Sequence, residues 1–87
     1  MLVSNLLSPK TGNPVANQFE IKHDGATYFQ SYKSIIAKKQ NGKIYLDSYY
    51  WDYSRTTSKY RNEFLSMTTP EIKKAIASGQ IELVNLN

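Results

Sequence analysis

The sequence predicts an α+β fold: an antiparallel sheet of three to four strands with two helices packed on one face, in the order β-β-β-α-α-β. Three observations predict it. Two tight-turn signals, His23-Asp24-Gly25 and Asn41-Gly42, punctuate segments of alternating polarity. A capping box, Thr68-Thr69-Pro70-Glu71, announces the start of a helix. Between these signals Thr57, Tyr60, Phe64 and Met67 recur at helical spacing.

Residues 1–16 form an N-terminal segment and loop. Pro9 and Pro14 cannot donate to a strand ladder, and Gly12 with Asn13 suits positive φ. Residues 17–51 read as a three-stranded meander. The first strand, 17–22, carries Phe19 and Ile21 on one face. A three-residue loop ending on Gly25 in the left-handed conformation then pairs Lys22 with Ala26, Ile21 with Thr27 and Phe19 with Phe29. The second strand runs from 26 to about residue 39. Asn41-Gly42 forms a type I′ turn that pairs Gln40 with Lys43, Ala37 with Leu46 and Ile35 with Ser48. This register collects Phe19, Ile21, Phe29, Ile35, Ala37, Ile44 and Leu46 on one core face. Lys33 falls on the same face, which predicts a bulge near residues 31–34. The third strand ends near Trp51.

Residues 54–79 hold the two helices. The first is entered through Asp52-Tyr53-Ser54 and extends through residue 67. The second is capped by Thr68 and Glu71, with Met67 stapled against Ile72. Ile72, Ala75 and Ile76 are its buried stripe, and Gly79 stands where a helix-ending glycine belongs. Residues 80–86 form a last strand with Ile81 and Leu83 inward. It joins one edge of the sheet.

Eighty-seven residues make one domain, 1–87, with a modest core and little room for a deep active site. Composition is 40% hydrophobic and 13% aromatic, which is globular rather than disordered. The absence of cysteine excludes disulfides and thiolate metal sites, and it fits a reducing cytoplasm. No apolar run approaches the ~18 residues of a membrane span. The opening residues 1–7 lack the basic start of a secretory signal, so they are expected to belong to the fold of a soluble, cytoplasmic chain without membrane contact. A net charge of +4 permits contact with phosphate or an acidic protein surface, while the plainer reading is solubility alone.

Groups suited to catalysis are few. The single histidine, His23, stands in a turn with no second histidine or cysteine near it, so no metal or other cofactor is expected. Of seven carboxylates, Glu71 belongs to the capping box. Asp47 and Asp52 are the only pair near aromatic residues, and their spacing selects no acid–base chemistry. The four glycines are isolated, so no phosphate-cradling loop exists. A non-enzymatic role is expected.

Two surfaces are candidates for binding. Strand parity places Tyr28, Gln30, Tyr32, Ser34, Tyr45, Asp47, Tyr49 and Trp51 on the face opposite the core, with Tyr32 across from Trp51. Such a face suits a protein partner. Less strongly, it suits single-stranded nucleic acid stacked on the rings, with Lys38, Lys39 and Lys43 reaching phosphates. The structural alternative is that tyrosine simply favours strands and the N-terminal segment covers it. The second surface is the start of the first helix, where Arg55, Lys59 and Arg61 accompany several hydroxyls and free N–H groups attract anions. There the plain reading is N-capping beside a solvated face. The candidate binding residues are therefore Tyr28, Tyr32, Tyr45, Tyr49, Trp51, Arg55, Lys59 and Arg61.

Asn17-Gln18-Phe19, Tyr28-Phe29-Gln30-Ser31-Tyr32, Trp51-Asp52-Tyr53-Ser54, Thr56-Thr57-Ser58-Lys59-Tyr60 and Phe64-Leu65 carry a family likeness. Over residues 13–86 the chain resembles a family of small uncharacterised accessory proteins of bacteriophages and prophages. The resemblance implies a protein made early or non-structurally that engages a host or phage macromolecule. Such proteins often inhibit a host enzyme or defence system by occupying its surface. It supplies no functional residues. The resulting expectation is a host-protein inhibitor, acting in antidefence or host takeover. The alternative is a single-stranded nucleic-acid binder using the aromatic sheet face.

Overall fold

Six strands lie side by side in sequence order, and both helices pack on one side of the sheet they form. The computed structural model describes residues 1–87. The strands are β1 (Leu2–Leu7), β2 (Pro14–His23), β3 (Ala26–Ser31), β4 (Ser34–Gln40), β5 (Lys43–Asp47) and β6 (Ile81–Val84). The helices α1 (Arg55–Leu65) and α2 (Thr69–Ser78) separate β5 from β6. The first five strands are antiparallel neighbours, whereas β6 runs parallel to β5. A parallel neighbour needs a long crossover, and the two helices provide it. The sheet is thus mixed and larger than the three to four antiparallel strands expected. The extra strands come from residues 2–7, which pair with β2, and from a break in the expected long second strand.

That break is a tight turn at Tyr32-Lys33, where Tyr32 adopts φ 55° and its N–H donates to the Asn17 carbonyl at 2.7 Å. The expected bulge near 31–34 is this turn. A bulge does occur further on: the β3–β4 register shifts beside Ile36, so Ile36 and Ala37 both point into the core. Ile35 is displaced to the other face, where it stands across from Gln30.

The β2–β3 turn also departs from expectation. Asp24 and Gly25, at φ 50° and 77°, form a two-residue connection that pairs His23 with Ala26. The offset of one residue sets Glu20 across from Phe29 and turns Phe19 and Ile21 away from the helices. Asn41-Gly42, at φ 53° and 76°, forms the expected turn, and Gln40–Lys43 and Ala37–Leu46 pair as expected. The strand that follows ends at Asp47, before Trp51; residues 48–53 are turns.

The core lies between the sheet and the helices. Phe29, Ile36, Ala37 and Leu46 meet Tyr60, Phe64, Leu65, Ile72, Ala75 and Ile81 there. Phe29 and Phe64 stack with ring centroids 5.8 Å apart. Each helix starts as its sequence dictates. Ser54 caps α1 by accepting from the Thr57 N–H. Thr68 caps α2 in a reciprocal box with Glu71. Gly79, in the left-handed conformation, closes α2. No helix is long and apolar enough to cross a membrane.

Candidate binding surface

The sheet face away from the helices is organised by cross-strand register. One row spans all six strands: Val3, Ile21, Tyr28, Lys38, Tyr45 and Glu82, each across from the next. A second row runs Asn5, Phe19, Gln30 and Ile35. Residues opposite one another have side chains close enough to interact, so these rows are continuous strips of surface. At the centre Lys38 extends between two rings, its Nζ 5.7 Å from the Tyr28 centroid and 5.5 Å from that of Tyr45. Lys43 sits 5.6 Å from the Tyr45 ring and pairs with Glu82 at 3.1 Å. Lys38 has no carboxylate partner. Its cation is held by aromatic faces, an arrangement worth about 0.5–1 kcal/mol where water still reaches it.

The other expected residues divide among three places. Tyr32 stands at the β3–β4 turn and Tyr49 in the turns after β5, both exposed and neither on the sheet face. The expected placement of Tyr32, Tyr49 and Trp51 together on the sheet face is therefore not realised. The causes are the Tyr32-Lys33 turn between β3 and β4 and the early end of β5, which removes residues 48–51 from strand parity. Tyr32 instead lines a cleft of ≈ 520 Å³ at the sheet's end, with Tyr50, Tyr53, Lys33, Ser34 and Asn17. Tyr50 meets Tyr49 and Tyr53 edge-on, at centroid distances of 4.7 and 5.4 Å. Beneath the cleft the Ser31 and Thr57 hydroxyls are 3.0 Å apart and buried, tying β3 to α1.

Trp51 is half-buried against the core. The guanidinium of Arg61 lies 5.3 Å from its ring centroid. Arg61 is the largest fully buried side chain in the molecule, which removes it from any binding surface. It donates to the Trp51 carbonyl, to Asp52 Oδ1, to Asn62 Oδ1 and to Thr69 Oγ1. Burial lowers its pKa from the ordinary arginine value, while Asp52 acts in the opposite sense. Helical parity explains the placement: Thr57, Tyr60, Arg61 and Phe64 share the inward face of α1. Arg55 and Lys59 remain exposed on that helix.

One lysine and two carboxylates also have fixed tasks. Lys39 shares the core face with Ile44; its Nζ lies 4.1 Å from the Phe64 ring and donates to the Phe64 carbonyl at 2.9 Å. It is thus withdrawn from the phosphate-binding role that sequence suggested. Asp47 is buried, which would raise its pKa. The Leu86 and Tyr50 N–H groups, the Asn87 amide and the Tyr49 N–H outweigh this and hold it below the ordinary value of 3.8. Glu71 is likewise lowered by the Thr68 N–H and hydroxyl. His23 is exposed beside Asp24 at 3.1 Å. No group of three or more His, Cys, Asp or Glu converges as a metal site would require.

A family model matches residues 1–81, nearly the whole chain, including the aromatic rows and both helix caps. The chain belongs to the DUF8033 family. This is a family of unknown function. No curated protein and no solved structure matches the chain. The DUF8033 match ends within β6, so it takes in all six members of the central row except Glu82.

Sequence reasoning missed Phe19, Ile21 and Ile35 as surface residues of this DUF8033 chain. The signal was present in Asp24-Gly25, which is as strong a two-residue turn signal as Asn41-Gly42. Reading it so would have turned Phe19 and Ile21 outward. The break at Tyr32-Lys33 had no comparable signal, because tyrosine and lysine are not turn formers.

Proposed function

We propose that this chain is a non-enzymatic binding module that docks a partner protein on its open sheet face. The observation that carries the reading is the central row, Val3-Ile21-Tyr28-Lys38-Tyr45, flanked by Phe19 and Ile35 and left uncovered by either helix. Contiguous apolar and aromatic surface of this kind is where protein partners dock. The charge pattern favours protein over nucleic acid. Phosphate tracking needs several free cations. Here Lys39 is turned into the core, Lys43 is paired with Glu82, and Lys38 alone is free in the row. The resemblance to phage and prophage accessory proteins supplies the finer reading: a host protein whose surface is occupied and inhibited, in antidefence or host takeover.

The second reading is single-stranded nucleic acid, favoured by the placement of Lys38 between two tyrosine rings. One experiment separates the two. The chain and a Tyr28→Ala, Tyr45→Ala double variant are used to capture partners from bacterial lysate, with and without nuclease, at low and high salt. A protein captured by the parent, indifferent to nuclease and lost with the folded double variant, supports the proposal. Aromatic anchors at an interface centre cost ~2 kcal/mol or more each when truncated. Capture that requires nucleic acid and falls steeply with salt transfers the face to the second reading.

A further inference from the structure

The two edges of the sheet are built differently. β6 is four residues long and carries Glu82, and a short charged edge resists strand addition. β1 is six residues long, Leu2-Val3-Ser4-Asn5-Leu6-Leu7, with no charge and no proline. One side of β1 pairs with β2, in unbroken register from Leu2 to Asn5 and again at Leu7 after a register shift. Along the other side alternate residues turn free N–H and C=O groups outward. Apolar exposure is concentrated at this edge. Of the eight exposed large hydrophobic residues, four are Met1, Leu2, Val3 and Leu7, at 82, 71, 56 and 60%. Single exposed apolar side chains are ordinary, but a run of them along an unpaired edge marks an interaction site.

We propose that β1 pairs antiparallel with β1 of a second copy of this chain, joining the two sheets into one across a twofold axis. Two features select a second copy as the occupant. An antiparallel edge alternates outward donors and acceptors, so under a twofold axis it is its own complement, and the assembly closes at two. The chain carries +4, yet β1 is neutral, so two cationic molecules approach along the one edge that brings no like charges together. A partner chosen by charge would find nothing on β1 to recognise.

The geometry is restrictive. A twofold axis that joins two antiparallel edges is perpendicular to the sheet, so both helix layers lie on one side and both open faces on the other. Residues that meet across the junction must lie on the same face. The axis therefore lies midway between one residue, Ser4 or Asn5 at the middle of the strand, and its own copy, so that this residue pairs with itself. About Ser4, Val3 of each copy meets Asn5 of the other, so each central row runs on into the other copy's second row; about Asn5, the two second rows join, and either way the open face is doubled. The inference stands on the edge and does not depend on what that face binds.

Sedimentation over a range of concentrations tests it with the full chain. The expected mass is twice the 10.0 kDa of one chain at high concentration, and Val3→Lys is expected to leave a monomer with unchanged circular dichroism. Because the chain has no cysteine, Ser4→Cys and Asn5→Cys report the register directly. Opposed residues in an antiparallel pair have Cα atoms about 4.5–5.5 Å apart, within disulfide reach. One of the two variants should give a covalent dimer on mild oxidation, while Leu83→Cys on the other edge should not. A chain monomeric at every concentration overturns the proposal. So does a dimer that cross-links only through Leu83→Cys, or a monomer whose edge accepts a strand only from another protein. If Val3→Lys unfolds, the cysteine pair still decides.

Discussion

Glu20 on β2 lies directly across from Phe29 on β3. Side chains alternate along a strand, so this pairing turns Phe19 and Ile21 to the opposite face, beside Gln30 and Tyr28. Phe29 is fully buried under the helices, and its neighbours in sequence become the open surface. The aromatic character of that surface thus follows from the position of one two-residue turn, Asp24-Gly25.

The companion turn, Asn41-Gly42, is the more sensitive place to test this architecture. Gly42 sits at φ 76° with open space where a Cβ would stand, so a substitution there meets backbone strain alone. Gly42→Ala should cost about 1–2 kcal/mol, the penalty of a left-handed L-residue, and Gly42→Val should cost more. Chemical denaturation of the two variants checks the order.

Thr68→Ala should lower stability by about 1 kcal/mol. The Thr68 hydroxyl accepts from the Glu71 N–H at 3.4 Å, and Glu71 Oε1 accepts from the Thr68 N–H at 2.9 Å and hydroxyl at 2.8 Å. Truncation leaves the first turn of α2 with an uncapped N–H. Binding on the open face, as proposed, should be unaffected, because the box lies away from it. A melt indistinguishable from the parent would argue against the cap.

Arg61→Ala should be the most damaging single change on α1, costing about 3 kcal/mol. It strips donors from a backbone carbonyl and three side-chain acceptors and empties the space beside Trp51. Each kcal/mol lowers Tm by about 4–8 °C in a chain of this size, so the loss is readily measured. Arg61→Lys should rescue little, since an ammonium cannot span the acceptors that the planar fork reaches. Arg55→Ala, on the exposed side, should leave the melt within about 0.5 kcal/mol of the parent.

Acid should destabilise the chain partly through Asp47. Its pKa in the folded protein lies below the ordinary 3.8, so the folded state favours the ionised form more than the unfolded state does. That stability is fully present above pH ~5, and it is lost as pH falls through the ordinary value and then the folded one. Glu71 contributes in the same direction. Asp47→Asn should therefore be less stable than the parent at neutral pH and lose less on acidification below pH ~4. Tm measured from pH 7 to pH 3 for both chains reads this out.

Local chemistry was legible in the sequence wherever a few adjacent residues decide the backbone. Asn41-Gly42 gave its turn and register, Ser54 and Thr68 gave two helix starts, and Gly79 gave a helix end. Each depends on the φ preferences and hydrogen bonds of the residues named, which no distant contact has to supply. The two helices and the α+β class followed from the same signals and from 3.6-residue spacing. The composition of the open face was another matter. A register shift of one residue exchanges the two sides of a strand, and periodicity cannot detect it when Phe19 and Ile21 suit either side. His23-Asp24-Gly25 accommodates a three-residue or a two-residue turn, and the assembled sheet decided for the two-residue one, which turns both side chains away from the core. The same holds for residues 48–53, where Asp47 collects backbone N–H groups from Tyr49, Tyr50 and Leu86 and so ends β5 before its tyrosines. It holds for Arg61, whose four acceptors come from four residues, Trp51, Asp52, Asn62 and Thr69, brought together by the packing of α1 against the turn before it and the start of α2. Burial of a charge depends on partners brought from elsewhere in the chain, and those exist only once the tertiary structure has formed.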